Sequence, residues 1–139
     1  MAHSIEQWSI DAAKRRRDGT DINSSFQVIG ESQFLTDEDK KVMQEYRTGG
    51  GDCLQSTELE IAEGRATGSL VNNSGLHALP AIIDDKRFFS YDDDLNGNTL
   101  IFCARNLTEL LTEVGNYFQQ SYGREFSYMK GDVRFNSKT

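Results

Sequence analysis

The sequence predicts an α+β domain, in which an antiparallel meander of about five to seven strands packs against a long helix in the carboxyl-terminal half, with two shorter amino-terminal helices. Hydrophobic residues alternate with period two through the middle of the chain, and turn-forming residues separate these runs. A later segment has helical periodicity instead. Because 139 residues suffice for one hydrophobic core, we expect a single domain over residues 1–139.

Two short helices are expected in the first fifty residues. Ser4 and Gln7 form a capping box for the first helix, which is predicted to end at Gly19. Thr36 is the predicted N-cap of the second helix, which ends at the glycines 49–51. The alternating segment between them predicts a short strand at 25–29.

Strands are expected to fill the chain from residue 57 to residue 104. The segment 57–61 alternates between apolar and acidic residues, which predicts a strand whose glutamates face solvent. Turns rich in Asn, Asp and Gly separate the remaining candidates. These candidates are 65–71, 76–83, 87–91 and 98–104. Pro80 cannot donate a ladder hydrogen bond, so its strand is expected to be an edge strand or to break there.

The clearest helix is predicted over 106–121. Asn106 and Glu109 form its capping motif, and apolar residues recur at helical spacing from Leu107 to Phe118. This apolar face is expected to pack on the sheet.

A hairpin is expected to close the domain. Its strands are 126–129 and 133–135, and the polar residues 136–139 are expected to form a frayed tail. An unpaired strand here or near Pro80 leaves a homodimer open as an alternative.

Composition limits the classes of function. Fifteen basic and twenty-two acidic residues give a net charge of −7, which disfavours nucleic acid and anionic membranes as partners. The sequence has no apolar run of the roughly 20 residues that span a membrane and no signal-peptide block, so a cytoplasmic location is expected. Cys53 and Cys103 fit neither a disulfide framework nor a metal knuckle, and reduced thiols are expected.

The metal and anion motifs in the sequence are incomplete. The segment 92–98 matches the opening of a calcium loop, but Cys103 stands where the loop needs a bidentate glutamate. The same segment is a normal acidic hairpin turn. The glycines 49–51 are suited to a backbone anion nest, but no phosphate-binding motif accompanies them. We therefore expect no metal and no other cofactor.

A catalytic reading of the sequence is also open. Cys53 is of a residue type that can act as a nucleophile, and His77 is of a type that can act as its base. One of several aspartates would orient the base. Nothing in the sequence brings the two together. A lone cysteine is more often a small buried hydrophobe, and a lone histidine a surface or capping group, so an enzyme is the less favoured interpretation.

The favoured binding surface is an acidic edge of the sheet with one aromatic anchor. Its residues are Glu58, Glu60, Glu63, Asp84, Asp85, Phe88, Asp92, Asp93 and Asp94. Such a surface is suited to a partner protein with a basic site, although charged edges also discourage aggregation. We expect a non-catalytic inhibitor or neutraliser of another protein, by analogy with immunity and phage counter-defence proteins of this size and charge. The alternative is a small-molecule sensor or enzyme with a pocket between the sheet and helix 106–121.

Overall fold

The computed structural model describes residues 26–44, 53–93 and 99–131, which form a six-stranded mixed sheet with three α-helices. The strands are β1 Phe26–Gly30, β2 Gly68–Asn72, β3 Ala78–Ile83, β4 Phe88–Asp93, β5 Thr99–Cys103 and β6 Phe126–Lys130. The helices are α1 Asp37–Gln44, α2 Cys53–Ala62 and α3 Leu107–Phe118. None of these helices is long and apolar enough to cross a membrane.

The sheet contains the predicted meander and one parallel strand that was not predicted. Its order is β1-β5-β4-β3-β2-β6, and β2 to β5 are consecutive antiparallel neighbours. β6 adds to the free edge of β2, whereas β1 pairs in parallel with β5, with Val28 opposite Ile101. The prediction of a purely antiparallel sheet is therefore wrong at β1. Local alternation does not encode a partner more than seventy residues away along the chain.

Helix α3 covers one face of the sheet. Asn106 is its N-cap, and its side chain accepts a hydrogen bond from the backbone N–H of Glu109 at 2.8 Å. Leu110 and Val114 are fully buried and pack with Phe102 of β5. The predicted start and apolar face are confirmed, while the helix ends at Phe118, three residues before the predicted end.

Helices α1 and α2 cover the other face. Met43 of α1 packs against Phe89 and Ile101, and α2 packs on Val71 and Ala78. Because both faces are covered, β2 and β5 are buried along their whole length.

Two predictions about local structure are wrong. The segment 57–61 belongs to α2 and not to a strand, because Thr57, Glu60 and Ile61 share one helical face and Glu60 is fully buried in an ion pair. Pro80 lies in β3, which has neighbours on both sides and is not an edge strand. The registered pairs between β3 and β4 begin only at Ala81, and the Ser90 hydroxyl donates to the Pro80 carbonyl at 2.9 Å.

Several predictions lie outside the described residues and stay predictions. They are the first helix, the glycines 49–51, most of the acidic turn 92–98, the strand 133–135 and the tail 136–139.

Candidate active site

A buried histidine–aspartate pair lies at one end of the sheet. His77 directly precedes β3, and Asp92 is near the end of β4, so the antiparallel pairing of these strands brings both residues to the same end. His77 Nε2 and Asp92 Oδ2 are 2.8 Å apart. Each residue is only 8% exposed. The hydrogen bond is therefore shielded from water and fixes the histidine ring within its own plane.

Two aromatic rings hold His77 from its faces. The Tyr122 ring is nearly parallel to it, with centroids 4.4 Å apart and planes at 12°. The Phe118 ring is tilted by 57° at 4.9 Å. His77 is thus held by a hydrogen bond from β4 and by two ring contacts from the end of α3 and the turn that follows it.

The thiol of Cys53 completes a three-residue group. Cys53 is the first residue of α2 and packs on Val71 and Ala78, the latter adjacent to His77. Cys53 lies close enough to His77 to contribute to the raised pKa of the histidine. Because Asp92 occupies Nε2, Nδ1 is the ring nitrogen that remains for another partner. Cys53 is only partly buried, in contrast to the fully buried Cys103.

His77 is charged at neutral pH. Burial alone lowers the pKa of His77, but the hydrogen bond and negative charge of Asp92, with a smaller contribution from Cys53, raise it to about 10. An imidazolium donates from both ring nitrogens, so that Nε2 donates to the Asp92 carboxylate and the Nδ1 N–H is left for a second acceptor. The pKa of Tyr122 is also raised, first by burial and then by the charges of Asp92 and Cys53.

This charge state predicts how His77 titrates. In the wild type, the ring should stay protonated up to about pH 10, and Asp92→Asn should lower its pKa towards or below 6.5. Folding raises the pKa of His77, so the pair of His77 and Asp92 contributes its full stabilisation below about pH 6.5. This contribution decreases as the pH rises and is lost at about pH 10. A difference of one pH unit between the folded and unfolded pKa values of a group corresponds to about 1.4 kcal/mol in the free energy of unfolding.

Histidine ring resonances followed by NMR against pH would measure the titration, with His77→Gln used to assign the signals. Urea unfolding at pH 6 and pH 10 would measure the stability, with Asp92→Asn as the comparison. A wild-type His77 that titrates near pH 6.5 would contradict this charge assignment.

A second buried network fixes α2 against the sheet. The carboxylate of Glu60, two turns after Cys53, is fully buried and accepts hydrogen bonds from Arg65 Nη2 at 2.6 Å and Nε at 3.0 and 3.1 Å. Its Oε1 also accepts a hydrogen bond from the Tyr91 hydroxyl at 2.8 Å. Since Tyr91 adjoins Asp92, the network links the helix that carries Cys53 to the strand that carries Asp92.

The structure divides the acidic edge that the sequence predicted. Glu58 is exposed on α2, and Glu63 is exposed beside Arg65. Asp84 and Asp85 are exposed in the turn between β3 and β4, at the end of β3 opposite His77.

Three other members of the predicted edge do not belong to an exposed acidic surface. Glu60 and Asp92 are buried, because each has a cationic partner, the partly buried Arg65 or the buried His77. Phe88 is half-buried and packs against the core beneath α3. The side chain of Asp93 and all of Asp94 lie outside the described part of the chain.

Among the residues that the structure describes, the remaining sequence candidates form no second site. Cys103 is fully buried in β5, and burial, followed by the charges of Glu113 and Asp39, raises its pKa to about 12. Within residues 26–44, 53–93 and 99–131, no group of three or more His, Cys, Asp or Glu side chains is placed to hold a metal. The space between the sheet and α3 is packed with apolar side chains.

Sequence reasoning found two of the three residues and missed the arrangement. Cys53 and His77 were candidates, but Asp92 was assigned to a surface and Tyr122 was not singled out. One signal in the sequence could have found this pair: His77 and Asp92 are polar residues at the same end of two neighbouring predicted strands.

Comparisons with known proteins give no further guide, since no family model, no curated protein and no solved structure matches the chain.

Proposed function

We propose that the protein is a cysteine-dependent acyl-transfer enzyme, most simply a hydrolase of esters, thioesters or amides. Cys53 is the nucleophile, His77 the acid and base, and Asp92 the residue that orients His77. The observation that carries the proposal is the buried 2.8 Å bond between His77 and Asp92, with the partly buried Cys53 close enough to His77 to affect its pKa. A nucleophile, a base and an orienting group in this order form the catalytic arrangement of many hydrolases on unrelated folds.

The position of Cys53 at a helix start supports this role. The first N–H groups of an α-helix have no partner inside the helix, and the helix dipole favours negative charge there. Both effects stabilise a thiolate, as does the neighbouring imidazolium of His77. The same amides are suited to stabilise the oxyanion of a tetrahedral intermediate.

The reaction follows from these roles. The Cys53 thiolate attacks the carbonyl carbon of the substrate, and the oxyanion forms near the first turn of α2. As the tetrahedral intermediate collapses, His77 gives its Nδ1 proton to the leaving group, and the acyl group stays on sulfur as a thioester. Neutral His77 then takes a proton from a water molecule that attacks the thioester. Loss of the carboxylic acid regenerates the thiolate and the imidazolium.

A chromogenic ester tests this proposal. With p-nitrophenyl acetate, the wild type should release nitrophenolate in a burst of about one equivalent followed by slower turnover. Cys53→Ser should lose both phases, whereas Cys103→Ser should keep them, because Cys103 is fully buried. A Cys53→Ser variant that hydrolyses the ester as fast as the wild type would refute the role of Cys53.

A second proposal is the non-catalytic binding protein of acidic character. Its support is the net charge of −7 and the exposed carboxylates Glu58, Glu63, Asp84 and Asp85. Two of these, Glu63 and Asp84, form ion pairs with arginines of the same chain, at 2.6 and 2.7 Å. The net charge of −7 would also favour a basic protein as the substrate of the proposed enzyme.

A further inference from the structure

The Tyr122 ring reaches His77 from the turn that follows α3. The backbone N–H groups of Ser121 and Tyr122 both donate to the carbonyl of Phe118, at 3.0 and 2.9 Å, and this ends the helix. The turn places the Tyr122 ring face to face with His77, while Phe118 lies 5.6 Å from Tyr122 and contacts the same histidine. The last turn of α3 and the residues after it therefore form an aromatic wall against the proposed acid and base.

Asn72 ties this turn to the segment that carries His77. It is 1% exposed, and its Nδ2 donates to the carbonyls of Gly123 and Glu125, each at 3.2 Å. Its Oδ1 accepts from the backbone N–H of Ser74 at 3.0 Å. The Ser74 hydroxyl also donates to Asn72 Oδ1, and its oxygen lies 3.3 Å from the Tyr122 carbonyl. One buried amide thus joins the segment before His77 to the segment around Tyr122.

A parallel aromatic ring affects a charged histidine in two ways. The ring face attracts a cation, which favours the imidazolium over the neutral form. It also resists rotation of the imidazole out of its plane, and such a rotation would break the bond between Nε2 and Asp92.

We infer that Tyr122 is a positioning residue of the active site, stacked on the imidazolium of His77 and held there by Asn72. The catalytic part of this inference rests on the proposed acyl-transfer function. The stacking part concerns His77 itself and stands without any substrate.

The test compares Tyr122→Phe, which keeps the ring, with Tyr122→Leu, which removes it. Tyr122→Phe should stay within about twofold of the wild type in kcat for p-nitrophenyl acetate. Tyr122→Leu should lose roughly tenfold in kcat with little change in KM, a factor in the range expected for a partly buried cation–π contact. The pKa of His77 measured by NMR should fall in Tyr122→Leu and stay near the wild-type value in Tyr122→Phe.

Two further variants make the result specific. Tyr117→Leu removes an exposed tyrosine of α3 that contacts Phe102 and Phe118 and has no ring contact with His77, so it should change neither kcat nor the pKa of His77. Asn72→Leu removes the Nδ2 donor and both of its hydrogen bonds without adding a charge near His77, and it should shift both quantities in the same direction as Tyr122→Leu.

The outcomes separate this inference from the proposed function. If Cys53→Ser is inactive while Tyr122→Leu keeps the wild-type kcat and the wild-type His77 pKa, the positioning role is overturned. If Cys53→Ser is as active as the wild type, the proposed function fails, and the His77 titration in Tyr122→Leu still decides whether the stack holds the imidazolium.

Discussion

His77→Gln is expected to slow the alkylation of Cys53 by iodoacetamide at pH 6 by about 10- to 100-fold. An ordinary thiol has a pKa near 8.5, so only about 0.3% of it is thiolate at this pH. The proposed role of His77 is to activate the Cys53 sulfur, and glutamine can act neither as a cation nor as a base.

The rate should be measured by mass spectrometry of the peptides that contain Cys53 and Cys103. Cys103 is an internal control, since full burial and a pKa of about 12 should leave it unmodified in the folded protein. Leu76→Ala is the matched variant, because Leu76 is 62% exposed and adjoins His77 in the same turn. The difference between wild type and His77→Gln should shrink at pH 9, where an ordinary thiol ionises unaided. Equal alkylation rates at pH 6 would show that His77 does not activate Cys53.

Arg65→Met is expected to destabilise the fold by about 3 kcal/mol. The substitution leaves the fully buried carboxylate of Glu60 without its cation, and loss of one partner from a buried pair typically costs about 3–5 kcal/mol. We expect the lower end of this range, because the Arg65 side chain is 19% exposed and the Tyr91 hydroxyl remains as a donor.

Urea unfolding would measure this loss, with Glu58→Ala as the matched control on the same helix. Glu58 is exposed, so its removal should change the free energy of unfolding by no more than about 0.5 kcal/mol. The double variant Glu60→Leu, Arg65→Met should recover part of the stability, because it removes the unpaired carboxylate that Arg65→Met leaves buried at this position. A loss below about 1 kcal/mol in Arg65→Met would contradict the claim that this pair fixes α2 to the sheet.

The parts of the fold that depend on local patterns were predictable. The apolar spacing from Leu107 to Phe118 and the cap at Asn106 gave the position of α3, and turn residues separated β2, β3, β4 and β5 at nearly the right places. The parallel pairing of β1 was not predictable, because it joins residues 26–30 to 99–103 and no local signal specifies that partner.

The predictions that Glu60 and Asp92 are exposed were wrong for the same physical reason. Glu60 and Asp92 were predicted on the surface because isolated carboxylates are seldom buried. In the fold, each meets a cation from another segment, Arg65 or His77, and the pairing permits burial. Whether a carboxylate has such a partner depends on tertiary contacts, so composition and periodicity could not separate these two residues from Glu58.

The candidate site has the same dependence on register. His77 and Asp92 are 15 residues apart in sequence and meet only because β3 and β4 are paired in one particular register. A shift of one residue would turn Asp92 to the opposite face of the sheet. The sequence could name Cys53 and His77 as reactive types, but only the tertiary structure could bring them together with an orienting carboxylate.

The most direct test of the central claim, that Cys53 is a nucleophile activated by His77 and Asp92, is the mass of the protein shortly after mixing with p-nitrophenyl acetate. The account predicts one acetyl group, located on Cys53 by peptide mapping, which forms much more slowly in His77→Gln and then disappears from the wild type as the thioester hydrolyses. Acetylation that spares Cys53 in the folded wild type, or that proceeds at the same rate in His77→Gln, would contradict it.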